Sequence, residues 1–269
     1  MMQTCLSKYF VALLSALFFF NVASAQKPST GKHDNLYSAG YASAFIGGLY
    51  DVYFPYKQIL AHGDFGLGAP EHLDGELLIF KGVPYQTRYT GKTTVVDVTG
   101  TAPYAISCFF KADKVIKPER TLNKTDFYKF LDSITTNQNG MYAIHVSGNF
   151  SYVKTRAFPA AEKPYQPLAA LLANQHFFEF NNVKGDLVGF KLGEFAQGPF
   201  IAGYHFHFLQ DNKVGGGHIV DLTVSDVVVE IDELTSYSMD LQQTQGFKEF
   251  DFTKDRKDEI KSVENGKKD

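Results

Sequence analysis

Three histidines lie close together in the sequence, in a pattern that places them on one face of a β-sheet. His205 and His207 alternate with aromatic residues in the stretch 204–208 (YHFHF), and His218 opens a later apolar stretch. Side chains two residues apart on a strand point to the same side, so His205 and His207 share a face. Imidazole nitrogens are common metal ligands, and the first hypothesis is therefore a metal site.

The segment that separates the two histidine stretches, 210–215 (QDNKVG), is polar and contains glycine, which predicts a hairpin turn. If the hairpin is symmetric about Asn212 and Lys213, His218 lies opposite His207. The three imidazoles then converge. Three histidines with an open fourth position are typical of catalytic zinc, whereas structural zinc sites are closed and rich in thiolate. A bulge in the glycine triplet 215–217 would shift this register by one residue.

Three charged residues are candidates for chemistry, although the sequence pattern alone favours a structural interpretation of each. Glu76 enters an apolar strand after an Asp-Gly pair, where an acid is usually solvated at the strand edge. Arg156 ends a predicted strand, and its ordinary interpretation is a surface ion pair of little energetic value. Glu264 belongs to the strongly charged tail 247–269, which would normally be solvated.

The other histidines and Cys108 need no catalytic explanation. Cys108 follows an apolar stretch, which favours a buried small hydrophobic side chain over a nucleophile. Five histidines have ordinary structural or surface interpretations, namely His33, His62, His72, His145 and His176.

The first 25 residues have the features of a secretory signal peptide. Lys8 precedes a short apolar core, 9–20, and the tripeptide A-S-A that ends at Ala25 fits a signal-peptidase site. The core is shorter than the roughly 20 residues of a spanning helix. We therefore expect cleavage near Ala25, export to the periplasm or the cell exterior, and no membrane segment in the mature chain. Removal of Cys5 with this leader leaves Cys108 without a disulfide partner.

The composition argues against nucleic acid as a partner and favours β structure. The chain has 269 residues with 26 Lys and Arg against 29 Asp and Glu, and it contains no basic patch of the kind that nucleic acid requires. Its 25 Phe and 15 Tyr residues favour strands. A chain of this length is sufficient for one large domain or two packed subdomains.

Turn-forming residues divide the chain into segments. Residues 26–36 are polar and predict a linker, and prolines between 159 and 167 predict a boundary near residue 160. An N-terminal subdomain at 37–160 then contains strands and a short helix capped by Thr125. From residue 185 onward the pattern predicts strands only, in a C-terminal subdomain at 161–269 that carries the three histidines.

Several motifs, taken in order, resemble the α-acetolactate decarboxylase family. They are the stretches 63–68 (GDFGLG), 73–76 (LDGE), 163–168 (KPYQPL), 202–208 (AGYHFHF) and 216–221 (GGHIVD). The resemblance runs from about Tyr37 to Glu264, which is nearly the whole mature chain. It implies an α/β fold of the α+β type, with an N-terminal mixed β-sheet and helices followed by a mainly antiparallel C-terminal β-sheet that carries the metal.

The resemblance also implies the site residues. The zinc ligands would be His205, His207 and His218, in agreement with the hairpin argument, and the catalytic residues would be Glu76, Arg156 and Glu264. The last of these matches requires the charged tail to fold back over the metal. One departure from the family is Ala69, where threonine is common, so that a side-chain hydroxyl is missing at this position.

The implied reaction is the zinc-dependent decarboxylation of 2-acetolactate (2-hydroxy-2-methyl-3-oxobutanoate) to (R)-acetoin and carbon dioxide, by a carboxy-lyase that is commonly a homodimer. Zn²⁺ on three neutral imidazoles would bind the ketone and hydroxyl oxygens and stabilise the enediolate charge. Arg156 would hold the leaving carboxylate through a two-point contact. Glu76 and Glu264 would move protons. No motif for a thiamine, pyridoxal or flavin cofactor is present.

Three alternatives differ in specific features. An α-type carbonic anhydrase also binds zinc through H-x-H, but its third ligand lies farther along the chain and its lining includes tryptophan, which this chain lacks. A cupin-like metalloenzyme needs an acid shortly after H-x-H, where only Asp211 is found. A non-enzymatic zinc-binding module would have a closed, four-ligand site and no role for Arg156.

Overall fold

Two large β-sheets form the framework of the chain that the computed structural model describes, which is residues 33–51 and 53–265. The predicted leader, 1–25, lies outside these residues. Within the described ranges the strands are β1 (Asn35–Ala39), β2 (Phe54–Pro55), β3 (Phe65–Ala69), β4 (Glu76–Phe80), β5 (Val83–Thr87), β6 (Thr93–Val95), β7 (Thr101–Ala102), β8 (Tyr104–Cys108), β9 (Lys114–Ile116), β10 (Leu122–Asn123), β11 (Met141–Ala157), β12 (His176–Leu192), β13 (Gly203–Gln210), β14 (Gly216–Leu234) and β15 (Ser236–Asp240).

The helices of the same ranges are short and lie between or after the strands. They are α1 (Ala42–Ile46), α2 (Tyr56–Leu60), α3 (Lys124–Ile134), α4 (Gln245–Glu249) and α5 (Lys257–Asn265), with 3₁₀ turns at Glu71–Leu73, Leu168–Asn174 and Glu194–Ala196. Among the described residues, none of the helices combines the length and the apolar character that crossing a bilayer requires.

The first sheet is mixed and the second is antiparallel, as the family resemblance implied. In the described chain the first sheet has the order β15-β1-β8-β3-β4-β5-β6, and its β1–β15 pair is parallel. The second has the order β10-β14-β11-β12-β13, with β9 also paired to β14. Because β13 pairs with β14 as well as with β12, these long strands close into a ring that brings their ends together.

Membership of the two sheets follows strand pairing and not chain order. β11 precedes residue 160 but pairs with β12 and β14 in the second sheet, whereas β15 follows residue 160 and pairs with β1 in the first. The subdomain boundary near residue 160 stays a prediction. β11 and β15 each pair with strands from the other side of that residue. The first strand begins at Asn35, inside the predicted linker 26–36, and Leu36 is fully buried.

The largest core cluster contains apolar residues of both sheets. Phe65 of the first sheet meets Phe190 of the second, with ring centroids 5.8 Å apart. Each buried aromatic side chain of this kind contributes about 2–3 kcal/mol through burial. Cys108 belongs to the same cluster and is fully buried, which raises the pKa of its thiol. Its interpretation as a small hydrophobic residue is therefore confirmed.

The sequence pattern predicts two strands joined near residues 148–149 in the stretch 140–156, and separate strands at 218–224 and 227–231. The structure has one long strand in each region, β11 and β14. In β11 the predicted break is a local irregularity, because Gly148 has φ +139° and the register to β14 shifts after Asn149. A bulge bends a strand without ending it, so the pairing continues on both sides. The pattern of the stretch 168–180 is compatible with a strand or a helix, and the structure divides it between a 3₁₀ turn and the start of β12.

The N-cap of helix α3 lies two residues earlier than predicted, at Asn123 instead of Thr125. The Asn123 side-chain oxygen accepts the backbone N–H of Asp126 at 2.9 Å, which is the ordinary N-cap geometry. The prediction that Thr125 caps the helix was wrong, because Thr125 lies inside the first turn. Asparagine and threonine are both good caps, and the sequence alone favoured the wrong one.

We expect Asn123→Ala to lower the free energy of unfolding by about 1 kcal/mol, because an orphan N–H of the first turn loses its acceptor. Thr125→Ala should change it by less than about 0.5 kcal/mol, as for an ordinary surface position. Urea unfolding followed by circular dichroism measures both values. A larger loss for Thr125→Ala than for Asn123→Ala would show that the cap is assigned to the wrong residue.

Candidate active site

The hairpin between β13 and β14 has the predicted register. His207 is the direct cross-strand partner of His218, and the backbone N–H of Gln210 donates to the carbonyl of Gly215 at 2.9 Å to close the turn. The glycine triplet does not shift this pairing. The irregularity lies on the other side of β14, where the register to β11 shifts between Lys154 and Thr155.

The three imidazoles converge at distances that suit a single metal ion. His205 Nε2 lies 3.3 Å from His207 Nε2 and 3.2 Å from His218 Nδ1. Nitrogens bound at 2.0–2.1 Å to a tetrahedral ion would be about 3.3 Å apart. Within the described residues, these three form the one group of histidine, cysteine or carboxylate side chains whose ligand atoms all lie within 4.8 Å of one another.

The hydrogen bonds of the trio also fit a cation. His207 Nδ1 donates to the carbonyl of Leu77 at 2.7 Å, which leaves a lone pair on its Nε2. His205 Nε2 faces both other rings, and one N–H can satisfy only one of these two contacts. The remaining lone pairs would repel each other, whereas a bound cation would attract them all. The residues present therefore fit a metal ion.

Burial keeps the three histidines neutral. It lowers the pKa of His207 to about 3, and the Arg156 guanidinium acts in the same direction, against the opposing effect of the Leu77 carbonyl. Burial also holds the pKa values of His205 and His218 well below their usual range, again with Arg156 contributing. Neutral imidazole is the form that binds a metal, so these ligands are available at neutral pH.

Glu76 lies at the edge of the trio as the first residue of β4. The preceding Gly75 has φ +94°, and a side chain there would collide with the Thr87 carbonyl, so the turn into the strand requires glycine. Glu76 Oε2 is 3.4 Å from His207 Nε2. Burial raises the pKa of Glu76 to about 8, although Arg156 opposes the shift. The solvated strand edge favoured by the sequence pattern is therefore not what the structure shows.

Arg156 reaches the same point from β11, where it is the cross-strand partner of His218. Its Nη2 donates to the carbonyl of Val263 at 2.9 Å, and its Nη1 lies 3.6 Å from Glu76 Oε1. Arg156 is 2% exposed, and its guanidinium lies over the ring of Phe158. Its Nε is buried without a hydrogen-bond partner among the described residues. A buried donor of this kind points to an anionic or oxygen-bearing ligand.

Glu264 comes from helix α5 in the charged tail, where the sequence pattern favoured a solvated residue. The helix is amphipathic, and its buried residues Ile260 and Val263 join the core cluster between the sheets. This packing brings Glu264 Oε2 to 3.8 Å from His218 Nε2. Burial raises the pKa of Glu264 to about 7, while Arg156 and Lys124 act in the opposite direction.

These residues line a small cavity. Its volume is about 30 Å³, and apolar side chains such as Phe45, Leu73 and Ile201 complete its wall. This volume is sufficient for a water molecule. A larger cavity of about 530 Å³ lies on the other side of His218 and Glu264, which line both spaces.

Two contributors to the site were not identified from the sequence. The Leu77 carbonyl orients His207 across the gap between the sheets, and no residue type signals a role for a backbone carbonyl. Tyr104 lines the cavity from the start of β8, and only its position after Pro103 at a strand end could have drawn attention to it. Outside the site, His145 lies between Glu230 and Asp186, at 2.7 and 3.0 Å, which agrees with an ordinary structural role.

The sequence model of the alpha-acetolactate decarboxylase family matches residues 36–254. The chain belongs to this family. The match includes Glu76, Arg156 and the three histidines and ends before Glu264, whose place in the site rests on the geometry of α5. Membership of the alpha-acetolactate decarboxylase family confirms the carboxy-lyase prediction and sets aside the carbonic anhydrase and cupin alternatives.

Individual relatives agree with this assignment. An alpha-acetolactate decarboxylase from Methanosarcina mazei is 36% identical over 236 residues, covering 88% of this chain and 82% of the relative. The crystal structure of alpha-acetolactate decarboxylase from Bacillus subtilis strain 168 superposes with a TM-score of 0.83 at 32% identity, covering 86% of this chain and 99% of that one. A Staphylococcus aureus protein of unknown function, described as similar to alpha-acetolactate decarboxylase, gives a TM-score of 0.78 at 26% identity over 86% of this chain and 99% of that one. The α+β fold class is thereby confirmed.

We expect His207→Ala to lose stoichiometric binding of a divalent metal, because one of three ligands and the link to Leu77 disappear together. His176→Ala, which removes an exposed histidine outside the trio, should bind metal as the wild type does. Elemental analysis after dialysis against a metal buffer measures both. Equal metal content in the two variants would contradict the assignment of the ligands.

We expect Glu76→Gln to change how the stability of the metal-free protein depends on pH. The folded-state pKa of about 8 lies above the ordinary value of 4.5, so the unfolded state releases its proton first and the wild type loses stability as pH rises between these values. Glutamine does not titrate. From pH 5 to pH 8.5 the stability of the wild type relative to Glu76→Gln should fall by roughly 2–4 kcal/mol, since each unit of pKa difference corresponds to about 1.4 kcal/mol. Urea unfolding in the presence of a chelator measures the difference, and an unchanged or rising difference would contradict the raised pKa.

Proposed function

We propose that this protein decarboxylates 2-acetolactate to (R)-acetoin and carbon dioxide with a zinc ion on His205, His207 and His218. The observation that carries the proposal is the convergence of three neutral imidazoles beside a buried arginine whose Nε has no partner in the described chain. The relatives named for this activity span most of the chain. Their name specifies the substrate class, and the site has the groups that such a substrate requires.

A metal ion held by His205, His207 and His218 would supply a Lewis acid that stabilises negative charge on the oxygens of the substrate. The chain supplies the orientation. The hydrogen bond from His207 Nδ1 to the Leu77 carbonyl fixes that ring and its tautomer. A hydrogen bond that orients a metal-binding histidine in this way typically accounts for about 10–100-fold in metal affinity or activity.

Arg156 binds the carboxylate that leaves. Its Nε–H and the remaining N–H groups form a planar fork that matches two carboxylate oxygens. The Val263 carbonyl and the Phe158 ring hold the guanidinium in place, and its burial excludes water that would compete for the carboxylate. Arg156 positions and neutralises the group, and it does not act as a proton donor because guanidinium is a very weak acid.

The reaction breaks the bond between the carboxylate carbon and C2 of the substrate. The electron pair of this bond moves towards the ketone, negative charge forms on the ketone oxygen, and carbon dioxide departs. One proton must then be added to C2, after which the ketone is restored and the C2 hydroxyl is retained. The balance of atoms is therefore one proton gained and one carbon dioxide lost.

Glu76 and Glu264 are the groups that hold and move this proton. Their pKa values, raised by burial to about 8 and about 7, allow each to carry or release a proton near neutral pH. Glu76 lies beside His207 and Glu264 beside His218, so the two carboxyl groups approach the trio from different directions. Delivery by one of them alone would reach one face of C2, which accounts for a single enantiomer of the product.

The proposed function also includes export of the mature chain and its assembly into a homodimer. Cleavage near Ala25 would release the mature chain outside the cytoplasm, and a homodimer is its expected state. Neither nucleic acid nor a membrane takes part in the proposed function of the mature protein.

The direct test is a colorimetric acetoin assay of the purified mature chain with 2-acetolactate, with carbon dioxide hydration as the control reaction. We expect turnover of 2-acetolactate that is lost with a chelator and restored by Zn²⁺, and no hydration activity. Chiral chromatography of the product should show (R)-acetoin. Absence of acetoin from the zinc-loaded protein would refute the proposal.

We expect Arg156→Ala and Arg156→Lys to lower kcat/KM by on the order of 100-fold or more, because neither retains the planar two-point contact. Both should keep the metal, since Arg156 is not a ligand. The lysine variant preserves the positive charge and therefore separates the effect of geometry from that of charge. Wild-type turnover in Arg156→Lys would refute the two-point contact.

A further inference from the structure

Two consecutive residues beside the site have left-handed backbone angles, which residues other than glycine rarely adopt. His72 has φ +58° and ψ +20°, and Leu73 has φ +58°. Leu73 is buried and lines the cavity, and Glu76 follows three residues later. A left-handed conformation is unfavourable for a bulky side chain and persists only where the surrounding structure holds it. The segment from Pro70 to Gly75, the 70–75 turn, is therefore a strained part of the wall of the site.

Main-chain hydrogen bonds fix the middle of the 70–75 turn. The N–H of His72 donates to the Tyr50 carbonyl at 2.9 Å, and the N–H of Ala161 donates to the His72 carbonyl at 2.7 Å. At the end of the turn, the side-chain amide of Gln86 donates to the carbonyl of Asp74. Both backbone polar groups of His72 are thus paired, so any further hold on this residue acts through its side chain.

The side chain of His72 belongs to a chain of hydrogen bonds that ends at an ion pair. Its Nδ1 lies 2.6 Å from Tyr165 Oη, and that hydroxyl donates to Asp51 Oδ1 at 3.2 Å. Burial and the Asp51 charge raise the pKa of Tyr165 to about 12, so the hydroxyl keeps its single proton. Because this proton goes to Asp51, His72 Nδ1 is the donor to Tyr165. Lys163 Nζ lies 2.8 Å from the same Asp51 oxygen.

Tyr165 is itself fixed to the core. Its ring meets that of Tyr50 edge to face, with centroids 5.3 Å apart. Tyr50 is fully buried, and its hydroxyl donates to the Gln166 carbonyl at 2.9 Å. The hydrogen bond between Tyr165 and His72 therefore joins the strained turn to a fixed part of the protein.

We propose that Tyr165 and His72 are positioning residues, whose hydrogen bond holds the left-handed backbone of 72–73 and thereby keeps Leu73 in the cavity wall and Glu76 beside His207. This inference rests on the proposed function, in which Glu76 moves a proton. Without the contact, the turn would relax towards ordinary backbone angles. The start of β4 would then shift, and the Glu76 carboxyl group would be misplaced for the chemical step.

The test compares alanine and glycine at position 72. Both substitutions remove the contact with Tyr165, but glycine adopts left-handed angles without strain and alanine does not. The other variants are Tyr165→Phe, which removes only the hydroxyl, and the double variant Tyr165→Phe with His72→Gly. Tyr142→Phe is the matched control, since Tyr142 is a buried tyrosine of β11 whose Oη donates to the Asn137 carbonyl at 3.3 Å, away from the turn.

The first readout is steady-state turnover of 2-acetolactate by the zinc-loaded protein. We expect Tyr165→Phe and His72→Ala to lower kcat by about five- to tenfold, the effect of one hydrogen bond, with KM and metal content close to those of the wild type. His72→Gly should stay within about threefold of the wild type, and the double variant should be no slower than His72→Gly alone. Tyr142→Phe should turn over as the wild type does.

The second readout does not depend on the reaction. Hydrogen exchange followed by mass spectrometry reports on the N–H groups of Asp74 and Gly75, which donate to the carbonyls of Glu71 and Leu73 within the turn. We expect exchange in the peptide that contains the turn to be about five- to tenfold faster in Tyr165→Phe and His72→Ala. His72→Gly should unfold about 2–4 °C above His72→Ala, because it lacks the backbone strain.

The order of the two substitutions at position 72 decides the inference. A role limited to packing predicts that glycine is the worse replacement, because glycine costs more conformational entropy than alanine. Lower activity and lower stability of His72→Gly than of His72→Ala would therefore overturn the inference, as would wild-type kcat and exchange in Tyr165→Phe. Wild-type protein that forms no acetoin would refute the proposed function, while the exchange rates and the unfolding temperatures still decide whether the contact holds the turn.

Discussion

The antiparallel pairing of β13 with β14 is the constraint on which the site depends. It sets His207 opposite His218, and the two-residue repeat of β13 adds His205 on the same face. The other groups are then placed by their contacts with these strands. The pairing of β11 with β14 places Arg156 beside His218. Glu76 lies at the site because the first sheet packs on the second, where the Leu77 carbonyl accepts the His207 N–H. A register shift of one residue would turn the histidines of one strand away from those of the other.

The site concentrates ionisable groups that are costly to bury. Glu76 and Arg156 are buried and Glu264 is half-buried, and removal of charge from water is unfavourable unless partners compensate. The arginine and the two carboxyl groups partly balance each other, and burial keeps the histidines neutral. A divalent cation adjacent to these carboxyl groups would favour their ionised forms. Metal binding and proton affinity are therefore coupled in this protein, and the unpaired Nε of Arg156 in the described structure leaves capacity for an anionic ligand.

The parts of the site that are local in sequence were predicted well, and the parts that depend on packing were not. Strand alternation and a six-residue turn were sufficient to align His205, His207 and His218. The cap of α3 was assigned to Thr125 instead of Asn123, because both residue types cap helices well and only the backbone conformation decides which of the two precedes the first turn. The difference between the sequence pattern and the structure is larger for Glu264. The pattern of the tail indicated solvent exposure, and only the family resemblance indicated that Glu264 belongs to the site. Ile260 and Val263 attach that helix to a core that no local pattern reveals.

By itself, the sequence determined the family, the α+β class, the histidine trio and the short range geometry of its hairpin, because these features follow from residue order, side-chain alternation and turn chemistry. Only the tertiary structure decided that Arg156 lies opposite His218 and that α5 brings Glu264 to the site. The reason is physical. Burial, the raised pKa values and the pairing of β1 with β15 depend on contacts between segments far apart in the chain, and such contacts are selected by the free energy of the whole packed core.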